Sequence, residues 1–212
     1  MLTQAGRPAF FGGPPAWLFY ALAALALLFF LYNLRVRLKG PAASQGRPWL
    51  LPLGPGPAGL GAWQVCCVAL ARASLLLLAL GSLLWNLHRH AVPFLRGWAY
   101  QVYASALEAA GGLLLLALLG LVAGRLSARR RPGGPRLGLA LVLWVAVSGF
   151  FTEYARLAAT RPDWAWAESL GWLPVVLWST WGGPSDKWLM IIWWMHALPA
   201  LLLVALSPRL RV

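Results

Sequence analysis

The sequence predicts an all-α integral membrane protein: a bundle of five helices forming a single domain over residues 1–212. Three observations predict it. Of 212 residues, 60% are hydrophobic and only 11% are charged, too apolar a balance for a water-soluble domain of this length. Several apolar runs approach the ~20 residues that a helix rising ~1.5 Å per residue needs to cross hydrocarbon. None of these runs shows the period-2 alternation of a barrel strand.

The spans, in order, are about 16–35, 64–87, 98–123, 137–158 and 187–207. The first begins around Trp17 behind a Gly and Pro segment. It is followed by Arg35, Arg37 and Lys39 with no small-residue cleavage site, which reads as a retained helix and not a signal peptide. Between spans one and two, "KGPAASQGRPWLLPLGPGPAGLG" is punctuated by Pro and Gly too often for a stable helix. The second span holds the only cysteines, Cys66 and Cys67. Adjacent cysteines disfavour a disulfide and no second cluster completes a metal site, so both are expected to be small buried side chains. Span three ends on Gly120 and Gly124, a G-x-x-x-G spacing that lets two helices approach closely. Before the last span, "RPDWAWAESLGWLPVVLWSTWGGPSDK" is rich in Trp but interrupted by Pro and Gly. Segment 159–186 is therefore expected to lie flat in the outer interface, where indole rings are favoured.

The net charge of +13 resides in the short connections, without a nucleic-acid-binding pattern around it, so it reads as membrane orientation and no nucleic acid is expected as a partner. Arg35, Arg37, Lys39 and Arg47 follow span one. Arg125, Arg129, Arg130, Arg131 and Arg136 follow span three, and Arg209 and Arg211 follow span five. These alternate connections fall on one side, the cytoplasmic side by the positive-inside rule. The N-terminus is then outside and the C-terminus cytoplasmic. Asp163, Glu168 and Asp186 occupy the opposite connections.

Ionisable groups within spans are expensive and therefore informative. Glu108 lies in span three. Glu153 and Arg156, at i and i+3 in "SGFFTEYARLA", are close enough on a helix to pair. Alternatively, Arg156 points inward toward an acidic ligand such as a haem propionate. His196 lies about ten residues into the last span, roughly 15 Å of helix. A lone histidine there is ordinarily a hydrogen-bonded packing residue. With His88 or His90 available at the end of span two, the pair becomes a candidate for axial coordination of haem iron. His88 and His90 project about 200° apart on a helix, so at most one serves. His88 is the deeper and is preferred, which leaves Arg89 and His90 for the surface or a propionate. Helix tilt would have to bring His88 level with His196.

From span two to the C-terminus, "HAVPFLRGWAYQVYASALEAAGG", "SGFFTEYARLA" and "WWMHALPALLLVALSPRL" together make the chain resemble a known family. It is similar to the five-helix cytochrome b subunits of the respiratory nitrate reductase gamma type, including the membrane subunits of heterodisulfide reductase and of sulfite-reduction complexes. The resemblance implies b-type haem between histidines of the second and fifth helices, and electron transfer between quinone or quinol and an iron–sulfur protein at the cytoplasmic face. His196 matches the fifth-helix ligand and His88 approximately matches its partner. Arg156, Arg96 or Arg89 would lie near the propionates. Where the family has a histidine near the start of the second helix, this chain has Ser74 or Leu75, and no histidine ends the last helix, so one haem is expected and the inner one is not. The sequence also stops at Val212 without the cysteine-rich domain of many relatives, so any iron–sulfur carrier is expected to be a separate subunit.

Two functions follow as expectations: a one-haem electron-transfer subunit, or a haem-free membrane anchor of the same kind of complex. A transporter would call for inverted repeats or broken helix pairs, and neither is present. There is no P-loop, dinucleotide fingerprint or nucleophile elbow.

Overall fold

A computed structural model describes residues 14–39, 61–127, 136–160, 176 and 186–207. It is all-helical, with α1 Pro14–Lys39, α2 Ala62–His90, α3 Trp98–Ser127, α4 Arg136–Thr160 and α5 Asp186–Leu206. All five are long and apolar enough to cross a membrane. Each predicted span falls on one of them, with the helices running a few residues further at most ends. The interfacial placement of segment 159–186 falls almost entirely outside the described residues, as do Arg47, Arg129, Arg130, Arg131, Asp163, Glu168, Arg209 and Arg211. Leu, Val, Phe and Trp side chains are exposed along all five helices. In lipid this is the low-energy arrangement, because the helix satisfies its own backbone and the apolar side chains face hydrocarbon.

The principal packing runs α2 to α3 to α4 to α5 to α1. Its directions follow from individual contacts. Trp85 of α2 meets Tyr100 of α3, while Cys67 and Gln64 lie against Gly120 and Gly124, so the pair is antiparallel. Gly111 of α3 faces Phe150 of α4, and Gly149 of α4 faces His196 of α5. On α1, Phe19 meets Trp193 and Asn33 meets Ala205, so α1 runs parallel to α5. One end of the bundle therefore carries the C-termini of α1, α3 and α5, with Arg35 and Lys39 exposed there. We call it the basic end. The other carries the α2–α3 turn. The main buried cluster, Ala71, Leu114, Ala117, Leu118, Leu139, Val142 and Leu203, joins α2, α3, α4 and α5 toward the basic end.

The Gly120 and Gly124 spacing does bring two helices together: α3 closes on α2 there, and Cys67 is buried in the seam. Cys66 differs from expectation. It is exposed, because successive residues on a helix turn by about 100° and only one of the two can face α3.

Two polar side chains in the spans, Asn33 and Trp144, are met across helices. Phe19, Ala26 and Asn33 recur every seven residues, which places them on one face of α1. Buried Asn33 ends that stripe by donating to the Ala205 carbonyl at 2.9 Å, one of the last four of α5 that lack an intrahelical donor. Pro199, inside α5, has no N–H for the Met195 carbonyl four residues earlier. The Trp144 indole N–H of α4 donates to that carbonyl at 3.1 Å. Trp144→Phe keeps the ring and removes the donor, and is expected to lower stability by about 1 kcal/mol. In a Pro199→Ala background the restored amide should serve Met195, so the same change should cost much less in a thermal-unfolding double-mutant cycle.

Candidate functional site

His196 sits against α4. Its Nδ1 lies 3.1 Å from the Val145 carbonyl oxygen and 3.2 Å from Ser148 Oγ. A carbonyl only accepts, so the favourable tautomer carries its proton on Nδ1 and donates to Val145, leaving Nε2 as a bare lone pair. Gly149 makes room for the ring: a Cβ there would stand 3.2 Å from His196 Cε1. Ser148 is buried beside it, and its carbonyl accepts from the Thr152 hydroxyl at 2.8 Å.

His88 sits in a different arrangement. Its Nδ1 accepts the Leu95 backbone N–H at 2.9 Å. An amide only donates, so Nδ1 is bare and the neutral ring holds its proton on Nε2. The ring lies among aromatics, 5.4 Å from Trp85 and 5.6 Å from Phe94 between centroids. Trp85 in turn packs on the buried cluster of Tyr100, Tyr103 and Ala104, where Leu95 and Leu107 also rest.

The two histidines belong to separate helix pairs and separate depths. Gly81 faces Leu107, and its carbonyl accepts from the Tyr103 hydroxyl at 2.8 Å. Through Gly111 with Phe150 and Gly149 with His196, the contacts set the His196 ring near the level of Gly111. His88 is seven residues beyond Gly81 toward the turn, about 10 Å of helix. Two imidazole nitrogens sharing an iron lie roughly 4 Å apart, taking metal–nitrogen bonds of about 2 Å. As placed, with one Nε2 protonated and the rings at different depths, His88 and His196 do not fit a common iron.

The remaining candidates are dispersed. Arg156 is 3% exposed, among buried Ala155, Leu157 and Ala158, and its guanidinium grips Glu153 through Nε at 3.1 Å and through Nη2. The ion-pair reading of this i, i+3 motif is therefore met on α4 itself. Arg96 is exposed in the α2–α3 turn. The side chains of Arg89 and His90 lie outside the described ones. Glu108 is half-buried on α3. Where the family pattern would place the inner histidine, Ser74 is 1% exposed and Leu75 packs on the main cluster.

One ionisable group escaped the sequence reading. Arg72 is half-buried, ten residues into α2 and about 15 Å from its start. The signal was available in "LARASLLLL", a cation inside an apolar run. Long side chains on a helix lean toward its N-terminus, which for α2 lies at the basic end. Among the described residues, no group of three or more His, Cys, Asp or Glu side chains is placed to hold a metal ion. In comparisons with protein-family models, curated proteins and solved structures, the chain matches none.

Proposed function

We propose that this chain is a haem-free membrane anchor, the multi-pass subunit that holds a redox assembly on the cytoplasmic membrane of a prokaryote, with its partner docked on the basic end. One observation carries the reading. The two histidines that would have to share an iron sit in separate helix pairs at different depths, His88 gives its Nδ1 to the Leu95 amide, and Arg156 pairs with Glu153. His196, donating to Val145, ties α5 to α4, the kind of contact between helices that an anchor requires. Exposed Arg35 and Lys39 suit a cytoplasmic orientation of the basic end, the N-terminus then lying outside. Lipid covers the exposed apolar faces.

The electron-transfer reading is kept as a second proposal because of His196. An axial histidine characteristically donates its other ring N–H to a backbone carbonyl, as His196 donates to Val145, and keeps a free Nε2. Under that reading one b-type haem would carry electrons between quinone or quinol and a cytoplasmic iron–sulfur subunit. His90, or His88 once released from Leu95, would supply the second ligand. Arg156, Arg96 or Arg89 would then serve the propionates.

A reduced-minus-oxidised visible spectrum of the protein purified from haem-replete cells separates the two. The anchor reading expects no b-type Soret or α band, and identical spectra for wild type and His196→Ala. A reducible b-type spectrum that disappears in His196→Ala would overturn it in favour of electron transfer.

A further inference from the structure

We infer that His88 is the fastener of the α2–α3 turn, an acceptor that holds the Leu95 amide through Nδ1, keeps its own proton on Nε2 and is not a metal ligand. This is a separate matter from whether the chain anchors a complex. α2 ends at His90, where the amides of Ala91 and Val92 both use the Leu87 carbonyl, at 2.9 and 3.1 Å. The chain must then reverse through residues 91–97 before α3. Pro93 supplies no amide there, and Gly97 takes φ +55°, a left-handed conformation that other residues adopt only with strain. At the α3 entry, the carbonyls of Arg96 and Gly97 receive the amides of Ala99 and Gln101.

Leu95 is the point in the turn that must be held. Its side chain packs on the Tyr100, Tyr103 and Ala104 cluster, and the bond its amide donates to His88 is partly buried. A partly buried amide that loses its acceptor pays part of its desolvation cost. His88 reaches forward from the last turn of α2 and meets it at 2.9 Å, with its ring braced by Trp85 and Phe94. The same bond disqualifies the ring as an iron ligand in this conformation, because Nδ1 is engaged and Nε2 carries hydrogen. In this respect the chain departs from the role that its sequence resemblance assigns to His88.

The test compares full-length wild type with His88→Asn and His88→Leu in nanodiscs, read by amide hydrogen exchange across residues 91–97. Asparagine places a carbonyl oxygen where Nδ1 stood, so His88→Asn should exchange within about twofold of wild type. His88→Leu should exchange roughly tenfold faster, having lost the acceptor. Imidazole nitrogen shifts of histidine-labelled wild type should report the His88 proton on Nε2, and this reading decides alone if His88→Leu fails to fold. Equal acceleration in both variants, or a proton on Nδ1, would overturn the inference. So would a haem band present in wild type and lost in His88→Asn while turn protection is unchanged.

Discussion

Glu153→Ala is expected to be the most damaging single substitution in the described part of this protein, at about 3 kcal/mol or more. The reason lies in what it leaves behind. Arg156 is 3% exposed, and its guanidinium engages the Glu153 carboxylate through two nitrogens. Removing the anion takes the Glu153 carboxylate from a buried cation, and lipid does not replace it. The reverse change, Arg156→Met, leaves a carboxylate that is 28% exposed and closer to relief, so it should cost less. Replacing both groups together by Glu153→Gln and Arg156→Met should recover most of the loss, because a buried pair contributes little beyond an apolar pair of similar volume. Thermal unfolding in detergent checks the order. For a chain of this size 3 kcal/mol is a shift of about 10 °C, and a Glu153→Ala melt within a degree or two of wild type would show that Arg156 does not depend on its partner.

The second large effect is expected at Gly120, where Val should destabilise by about 2–3 kcal/mol through overpacking. A Cβ at Gly120 would stand 2.7 Å from Cys67 Sγ and 3.4 Å from the Trp63 ring. Cysteine has one short rotor and Cys67 is buried, so the sulfur has little room to retreat and α2 must separate from α3. Gly124→Val meets Gln64 Nε2 at 2.6 Å, but that is the far end of a longer side chain. Swinging it away forfeits the bond that Gln64 Oε1 accepts from the exposed Gly61 amide, a smaller loss. Cys67→Ala removes the obstructing sulfur and should rescue a substantial part of Gly120→Ala while leaving Gly124→Val unaltered. Melting curves showing equal damage at the two glycines, or no rescue by Cys67→Ala, would mean that close approach at Gly120 is not what holds the seam.

The local character of hydropathy explains which parts were legible beforehand. Whether a stretch crosses a membrane depends on the sum of transfer free energies along about 20 residues, so "LFYALAALALLFFLY" or "WLMIIWWMHALPALLLVAL" announces its helix without reference to the rest of the chain. The glycine seam was legible for a related reason, since residues four apart share a face of any helix. The Glu153 and Arg156 pair was legible because both partners lie within one turn.

What only the tertiary structure decided involves partners on other helices. Nothing in α1 says that Asn33 will cap α5, and nothing around Pro199 says that Trp144 will supply its missing donor. Histidine is the clearest instance. A sequence names the ring but not which nitrogen keeps the hydrogen, because a backbone group from elsewhere makes that choice. A carbonyl of α4 sets it for His196, and an amide of the α2–α3 turn sets the opposite tautomer for His88. The sequence by itself determined an all-helical chain with five spans and the stations of its polar residues along them. The tertiary structure alone decided which of those residues meet, since hydrogen-bond direction and depth depend on geometry between helices and not on order along the chain.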